Sequence, residues 1–215
     1  MAEIKHHGYE YIVINDGSTD DTYEICLRND INVINLPRNL GIGGAVQVGH
    51  KYAFRNGYEV DVQIDGDGQH DVSCIPLLLE EVEKGADLAI GSRFLEDSQG
   101  FKSTAFRRIG IKWLSGLIRL LYKVRITDPT SGFRASGKRA LELFCQTYPS
   151  DYPEPESIAE ALNHRLTVVE VPVQMNERAG GKSSIGILDS VYYMIKVTIA
   201  ILIEALSKRT IKRNA

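Results

Sequence analysis

Two aspartates separated by a single glycine, Asp65 and Asp67, close an apolar stretch and carry the strongest chemical signal in the chain. Val60, Val62 and Ile64 alternate with Asp61 and Gln63, a period of two that predicts a strand ending where the carboxylates begin. Side chains two positions apart on an extended segment point the same way, so both carboxylates can address one divalent cation. Gly66 and Gly68 let the backbone turn sharply and let a ligand approach. Hard oxygen ligands suit Mg²⁺ or Mn²⁺, and a cation held by few protein ligands keeps positions open for a diphosphate. A cation so placed can stabilise a nucleotide diphosphate as a leaving group. Taken alone, such a pair is more often a pair of solvated loop residues. An EF-hand does not fit, because its loop would need Gly at His70 and Glu at Pro76. His70 itself reads as a loop residue beside the site, with a ligand role as the alternative.

The elements that must position these groups alternate along the first half. Strands are expected over Tyr9–Asn15, Ile31–Leu36, Val60–Ile64 and Ala86–Ile90, with helices over Ser18–Asn29, Gly41–Phe54 and Ile75–Lys84. That order predicts an α/β fold with a mostly parallel sheet flanked by helices, whose ligands sit at the carboxyl ends of the strands. Asp16 follows one strand and Asp65 another, so both can face one crevice. The second half offers a helix over Phe106–Val124, a strand over Leu166–Val173 that Pro172 assigns to a sheet edge, and a long apolar helix over Leu188–Leu206. Tyr148 to Pro155 reads as a proline-rich loop within the domain. No repeat or second-domain linker interrupts the chain.

Composition excludes several classes. The 215 residues suffice for one domain with a sizeable core, and a net charge of −3 argues against nucleic acid. Cys26, Cys74 and Cys145 are far apart and odd in number, without metal-ligand spacing or a disulfide framework, which fits a reduced, cytoplasmic setting. Met1 to Glu10 lacks the apolar region of a signal peptide. The basic residues are unevenly spread. Gly100 to Thr127 holds seven Lys and Arg with no acid, and Lys208, Arg209, Lys212 and Arg213 follow near the end. Such asymmetry suits a basic surface facing an anionic partner.

Several motifs occur in order: Val13-Ile14-Asn15-Asp16-Gly17-Ser18-Thr19-Asp20; Asn39-Leu40-Gly41-Ile42-Gly43-Gly44-Ala45; Asp65-Gly66-Asp67-Gly68-Gln69-His70; Gly91-Ser92-Arg93-Phe94; and Asp128-Pro129-Thr130-Ser131-Gly132-Phe133-Arg134. Arg178 to Ile185 follows. Together these motifs closely resemble glycosyltransferase family 2, in the branch of dolichyl-phosphate mannose synthases and bacterial polyprenyl-phosphate glycosyltransferases. The resemblance implies a GT-A (Rossmann-like) fold, a UDP- or GDP-sugar donor, a divalent metal and a polyprenyl phosphate acceptor. It assigns Asp16, Gly41 and Asp65 to the donor nucleotide, and Asp65, Asp67 and Gln69 to metal and diphosphate. Arg93, Arg108 and Arg134 correspond to the acceptor-phosphate site, with Arg107 as an adjacent candidate. Two motif readings are excluded: Val46 occupies the third glycine place of a dinucleotide fingerprint, and Asn176 the first glycine of a Walker loop ending at Gly181-Lys182-Ser183.

The arginines bear on mechanism. A hydroxyl acceptor must lose a proton as it attacks and needs a general base, whereas a lipid phosphate is already anionic and needs cations to hold it in line. Asp67 and Asp128 are the catalytic candidates. Asp128 can orient the donor sugar, act as a base or cap a turn, and the sequence leaves these three open. Glu154 and Glu156 lie where family members keep an acidic pair, here split by Pro155. The expected reaction is a single inverting displacement in cell-envelope glycan synthesis. A transferase to a glycan hydroxyl and a non-catalytic lipid- or partner-binding remnant are the alternatives.

Membrane contact is expected from two segments. In the Phe106 helix, Arg108, Lys112, Arg119 and Lys123 share one stripe, while Phe106, Ile109, Trp113, Leu117, Leu121 and Val124 share another face. A basic amphipathic helix with Trp suits the surface of anionic lipid; ordinary packing on the core is the equal alternative. Val191 to Leu206, interrupted by Lys196, falls short of the ~20 apolar residues of a membrane span. The expectation is a GT-A domain over 1–187 and a membrane-peripheral helix and basic tail over 188–215, on the cytoplasmic face of the membrane. A homo-oligomer through the C-terminal helices stays open. Only about ten residues precede the Asp-Gly-Ser strand, so the first strand of the family's sheet is expected to be missing.

Overall fold

The computed structural model describes residues 2–95, 105–176 and 187–213. The Arg178–Ile185 segment lies outside them, as do the side chains of Phe106, Arg107 and the basic tail. The described elements run α1 (Ala2–His6), β1 (Val13–Asn15), α2 (Thr22–Arg28), β2 (Val33–Asn35), α3 (Gly41–Arg55), β3 (Val60–Gln63), a 3₁₀ turn (Val72–Cys74), α4 (Ile75–Glu83), β4 (Leu88–Ser92), α5 (Ala105–Tyr122), β5 (Arg134–Gly137), α6 (Lys138–Gln146), α7 (Pro153–Asn163), β6 (Val168–Pro172) and α8 (Ile187–Arg213).

The strands form two ladders. β1 pairs with β2 in parallel, with Val13 opposite Val33 and Asn15 opposite Asn35. The larger sheet has the order β3-β5-β4-β6. β5 runs antiparallel to both β3 and β4, while β6 is parallel to β4 and lies at the edge, where Pro172 needs no ladder partner. The sheet is therefore mixed, because β5 enters between β3 and β4 and runs against both. No ladder joins β1 to β3 among the described residues. The two are bridged by α3. Its Gly49 lies against Ile14 of β1, and the adjacent His50 bonds Asp61 of β3 through Nδ1 at 2.6 Å.

Each face of the larger sheet carries its own core. Leu88, Ile90 and Val168 pack with Leu114 and Ile118 of α5, Phe144 of α6 and Ile158 of α7. On the opposite face Ala89, Ala135 and Val171 meet Val72, Ile75 and Leu78. Strict alternation along β4 and β6 thus builds both layers at once. Val197 and Ile201 of α8 are fully buried in the first core, so this helix is part of the domain and not a separate unit beginning at residue 188.

Two stretches depart from the sequence expectation. The proline-rich stretch becomes helix from Pro153 onward, since both prolines fall in the first turn, where no intrahelical N–H bond is lost. β5 and α6 fill a stretch for which the sequence suggested no element.

Candidate active site

The carboxylate pair sits just beyond β3. The strand ends at Gln63, and the chain turns through Gly66–Gly68. The extended i, i+2 geometry expected for Asp65 and Asp67 is therefore not retained. Asp67 instead folds back, its Oδ1 accepting from Gln69 N at 3.0 Å. The Asp65 side chain is 44% exposed and points past the loop that follows Asp128. A methyl group on Gly132 would come within 3.1 and 3.2 Å of the two Asp65 carboxylate oxygens, so that glycine makes room for the carboxylate.

His70 holds this turn. It is 4% exposed and stacks on Phe133 with ring centroids 4.9 Å apart. Its Nδ1 accepts from Asp65 N at 3.1 Å, which leaves the ring proton on Nε2, 3.7 Å from the Asp65 carboxylate. Burial lowers the imidazole pKa, against the opposing pull of Asp65 and Asp67, so the ring is neutral at pH 7. His70 is thus a loop residue beside the site, and a buried one that supports the turn. Its stacking partner, 63 positions away, could not be read from local pattern.

Asp128 and Arg93 form the centre of the opposite wall. Asp128 is 0% exposed and Arg93 4%. Asp128 Oδ2 accepts from Arg93 Nε at 2.6 Å and Arg93 N at 3.2 Å; its Oδ1 accepts from Arg93 Nη2 at 2.7 Å and Thr130 Oγ1 at 3.2 Å. All four acceptor positions of the carboxylate are engaged. This geometry leaves no acceptor position for a substrate proton or a sugar hydroxyl, and of the three roles the sequence left open for Asp128, the bond from Thr130 corresponds to holding the turn.

Arg134 opens β5 and is 3% exposed. Its guanidinium donates to Ser131 O (2.7 Å), Ser157 Oγ (2.8 Å) and Pro129 O (3.3 Å), tying the Asp128–Arg134 loop to α7. Glu154, half-buried in the first turn of α7, has its pKa raised by burial and pulled back by Arg134, with Asp65 and Arg93 also acting on it. Asp65, Asp67, His70, Arg93, Asp128, Arg134 and Glu154 therefore converge on one region. Arg108 stands exposed on α5, outside this buried cluster.

A second group forms around the carboxyl ends of β1 and β2. Asp16 Oδ1 accepts from Leu40 N at 2.7 Å. Gly17, at φ +68°, lies so close to Asn39 N that a side chain would meet it at 2.7 Å. Gly41 follows at φ +80°, and Gly43 is pressed against the carbonyls of Pro149 and Ser150. The glycines of this turn are thus required by the protein's own backbone, whatever ligand they meet.

Among the described residues no group of three or more His, Cys, Asp and Glu forms a metal cluster. The donors present, two carboxylates and the Gln69 amide, fit a hard cation that takes its remaining ligands from outside the protein.

A mixed sheet between helical layers, with acidic and glycine-rich turns at the strand ends, fits the GT-A fold. The family model for glycosyl transferase family 2 matches residues 2–142. Polyprenol monophosphomannose synthase of Mycolicibacterium smegmatis is 33% identical over 182 residues, covering 80% of this chain and 68% of that protein. UDP-N-acetylglucosamine–dolichyl-phosphate N-acetylglucosaminyltransferase of Methanococcus voltae is 28% identical over 196 residues, covering 81% and 78%. Glucosyl-3-phosphoglycerate synthase from Mycobacterium tuberculosis, solved with Mn²⁺, UDP and glucosyl-3-phosphoglycerate, shares the fold at a TM-score of 0.63 and 21% identity, covering 91% of this chain and 68% of that one. The chain belongs to glycosyltransferase family 2 and is a glycosyltransferase.

Proposed function

We propose that this chain transfers a sugar from a UDP- or GDP-sugar to a polyprenyl phosphate at a membrane surface, by a single displacement with inversion. The carrying observation is the saturation of Asp128. The best-placed carboxylate of the Asp128–Arg134 loop is locked to Arg93 with its acceptor positions engaged, which suits an acceptor that arrives already deprotonated. Arg93 and Arg134 give that wall its positive charge, where an acceptor phosphate would be held in line. Arg108, exposed on α5, would meet the lipid headgroup from outside the buried cluster. Asp16 and the Gly41 turn would take the donor nucleoside.

Asp65, Asp67 and Gln69 would hold Mg²⁺ or Mn²⁺, which would supply charge stabilisation for the departing diphosphate. The likeness to polyprenol monophosphomannose synthase supports the acceptor class, and the Mn²⁺ and UDP bound to the synthase of the same fold support the metal and donor.

The outer surface supports the membrane reading. No helix among the described residues is long and apolar enough to cross a membrane. The inner stripe of α5 (Ile111, Leu114, Ile118) is core, but Ile109, Trp113 and Leu120 are exposed beside Arg108, Lys112, Arg119 and Lys123. α8 adds exposed Ile195, Ile199 and Ile203, and the two helices meet where Trp113 Nε1 donates to Thr198 Oγ1 at 3.0 Å. Exposed apolar residues beside a basic stripe suit anionic lipid. The site then faces the cytoplasmic leaflet.

One observation favours a second reading, a hydroxyl acceptor. Glu154 is a half-buried carboxyl of raised pKa among the same charges, as a general base would be. Assays with GDP-mannose and UDP-glucose, offering undecaprenyl phosphate or a free glycan, separate the two. Transfer to undecaprenyl phosphate that survives Glu154→Gln and is lost in Asp67→Asn supports the proposal. Transfer only to the glycan, abolished by Glu154→Gln, replaces it with the second reading.

A further inference from the structure

Glu170 lies on β6, and the β4–β6 register sets it opposite Ile90, with Ser92 two residues further along the same face. Its side chain reaches under the Asp128 loop. Oε2 accepts from Thr127 N and Oε1 from Asp128 N, both at 2.7 Å, and Thr127 Oγ1 lies 3.1 and 3.0 Å from the two oxygens. An ionised carboxylate only accepts, so the Thr127 hydroxyl proton is directed to Glu170. Ser92 Oγ, 2.8 Å from Thr127 Oγ1, must then donate to it, and Phe94 N donates to Ser92 Oγ at 3.3 Å. Every donor in this chain points toward one carboxylate. The residue between Ser92 and Phe94 is Arg93.

We infer that Glu170 is the positioning residue for the Arg93–Asp128 pair. It grips the pair from both sides: through the backbone of Thr127 and Asp128, which aims the Asp128 carboxylate, and through Thr127 and Ser92, which hold the segment carrying Arg93. Deepening the reading of that pair as part of the active-site wall, this inference rests on it. An amide at position 170 would keep one acceptor oxygen but set its NH2 against the other backbone N–H, breaking the ordered chain. Packing alone would be nearly unchanged.

The test uses phenylglyoxal, with modification of each arginine followed by mass spectrometry on the folded protein. Arg134 is the internal control, since it is as buried as Arg93 but held by Ser131, Ser157 and Pro129. Glu170→Gln is expected to speed modification of Arg93 by about tenfold or more through local opening, with Arg134 unchanged. Asp128→Asn should release Arg93 similarly, and adding Glu170→Gln to it should give no further acceleration. Where Glu170→Gln fails to fold, Glu170→Asp, which keeps the charge on a shorter stem, should give a smaller acceleration of Arg93 alone. An unchanged Arg93, or Arg93 and Arg134 speeding together, overturns the inference. If Asp128→Asn also leaves Arg93 protected, the pair itself is refuted, and the role of Glu170 goes with it.

Discussion

Removing Arg93 should cost far more than its charge would cost on the surface. In Arg93→Met the volume is roughly kept, but Asp128 loses two of its four hydrogen bonds while remaining fully buried. The backbone donor at position 93 persists in the variant, so the net loss is the two guanidinium bonds and the countercharge. Breaking a buried pair by deleting one partner typically destabilises by about 3–5 kcal/mol, because the other charge is left uncompensated. With a urea slope of about 3 kcal/mol per molar, the upper end for small proteins because the slope grows with size, the unfolding midpoint should fall by about 1–2 M. The double variant Arg93→Met, Asp128→Leu removes both charges and should recover about 2 kcal/mol or more relative to additive single effects. Urea unfolding followed by circular dichroism measures all three. A midpoint loss below about 0.3 M for Arg93→Met, or strict additivity, would refute the argument that the pair is buried and tightly coupled.

Gly132→Ala separates site geometry from stability. The added methyl crowds the Asp65 carboxylate, which is exposed enough to swing outward, so melting should shift by no more than about 2 °C. Mn²⁺-dependent binding of UDP or GDP by calorimetry should weaken about tenfold, or about 1.4 kcal/mol; unchanged binding would remove Asp65 from the metal site. His70 gives a pH signature. In the unfolded chain its imidazole takes a proton near 6.5, whereas burial holds it neutral to lower pH in the fold. The unfolded state thus binds the extra proton first, so stability is full above 6.5 and falls as pH drops toward the lowered folded value. Glu154, Glu156 and Glu160, raised by burial, act in the opposite sense at lower pH, so the loss is read as the difference between wild type and His70→Gln between pH 7.5 and 5.5. Equal slopes in the two proteins would contradict the assignment.

Much of this was legible in the residues. β1, β2, β3 and β6 fall inside the expected strands and β4 overlaps its own, running on to Ser92, because each alternates or runs apolar between turn residues. β5 was not legible. Arg134-Ala135-Ser136-Gly137 has neither β-branched residues nor alternation, and it is small for a tertiary reason: Val82 of α4 would stand 3.1 Å from any Cβ at Gly137. α7 was hidden by Pro153 and Pro155, which read as loop until their place in a first turn is known. Motif order located Asp65, Asp67, Arg93, Asp128 and Arg134, but the partnership of Asp128 with Arg93 spans 35 positions, and no local pattern marks Glu170 as its support. Pairing at such separations is decided by strand register.

The missing ladder between β1 and β3 has a consequence for cooperativity. Val13 donates to Asn32 and Asn15 accepts from Leu36, so both residues spend their backbone groups on β2, and those of Ile14 between them face away. The β1–β2 pair is therefore coupled to the rest of the molecule by side-chain packing under α3, not by continuous backbone hydrogen bonds. Its amides should exchange with solvent as a unit of their own, with lower protection than those of β4 and β5. A ligand that touched both the Asp16 turn and the Asp65 turn would then act as a splint, making one cooperative unit of two and registering as slowed exchange far from its own contacts.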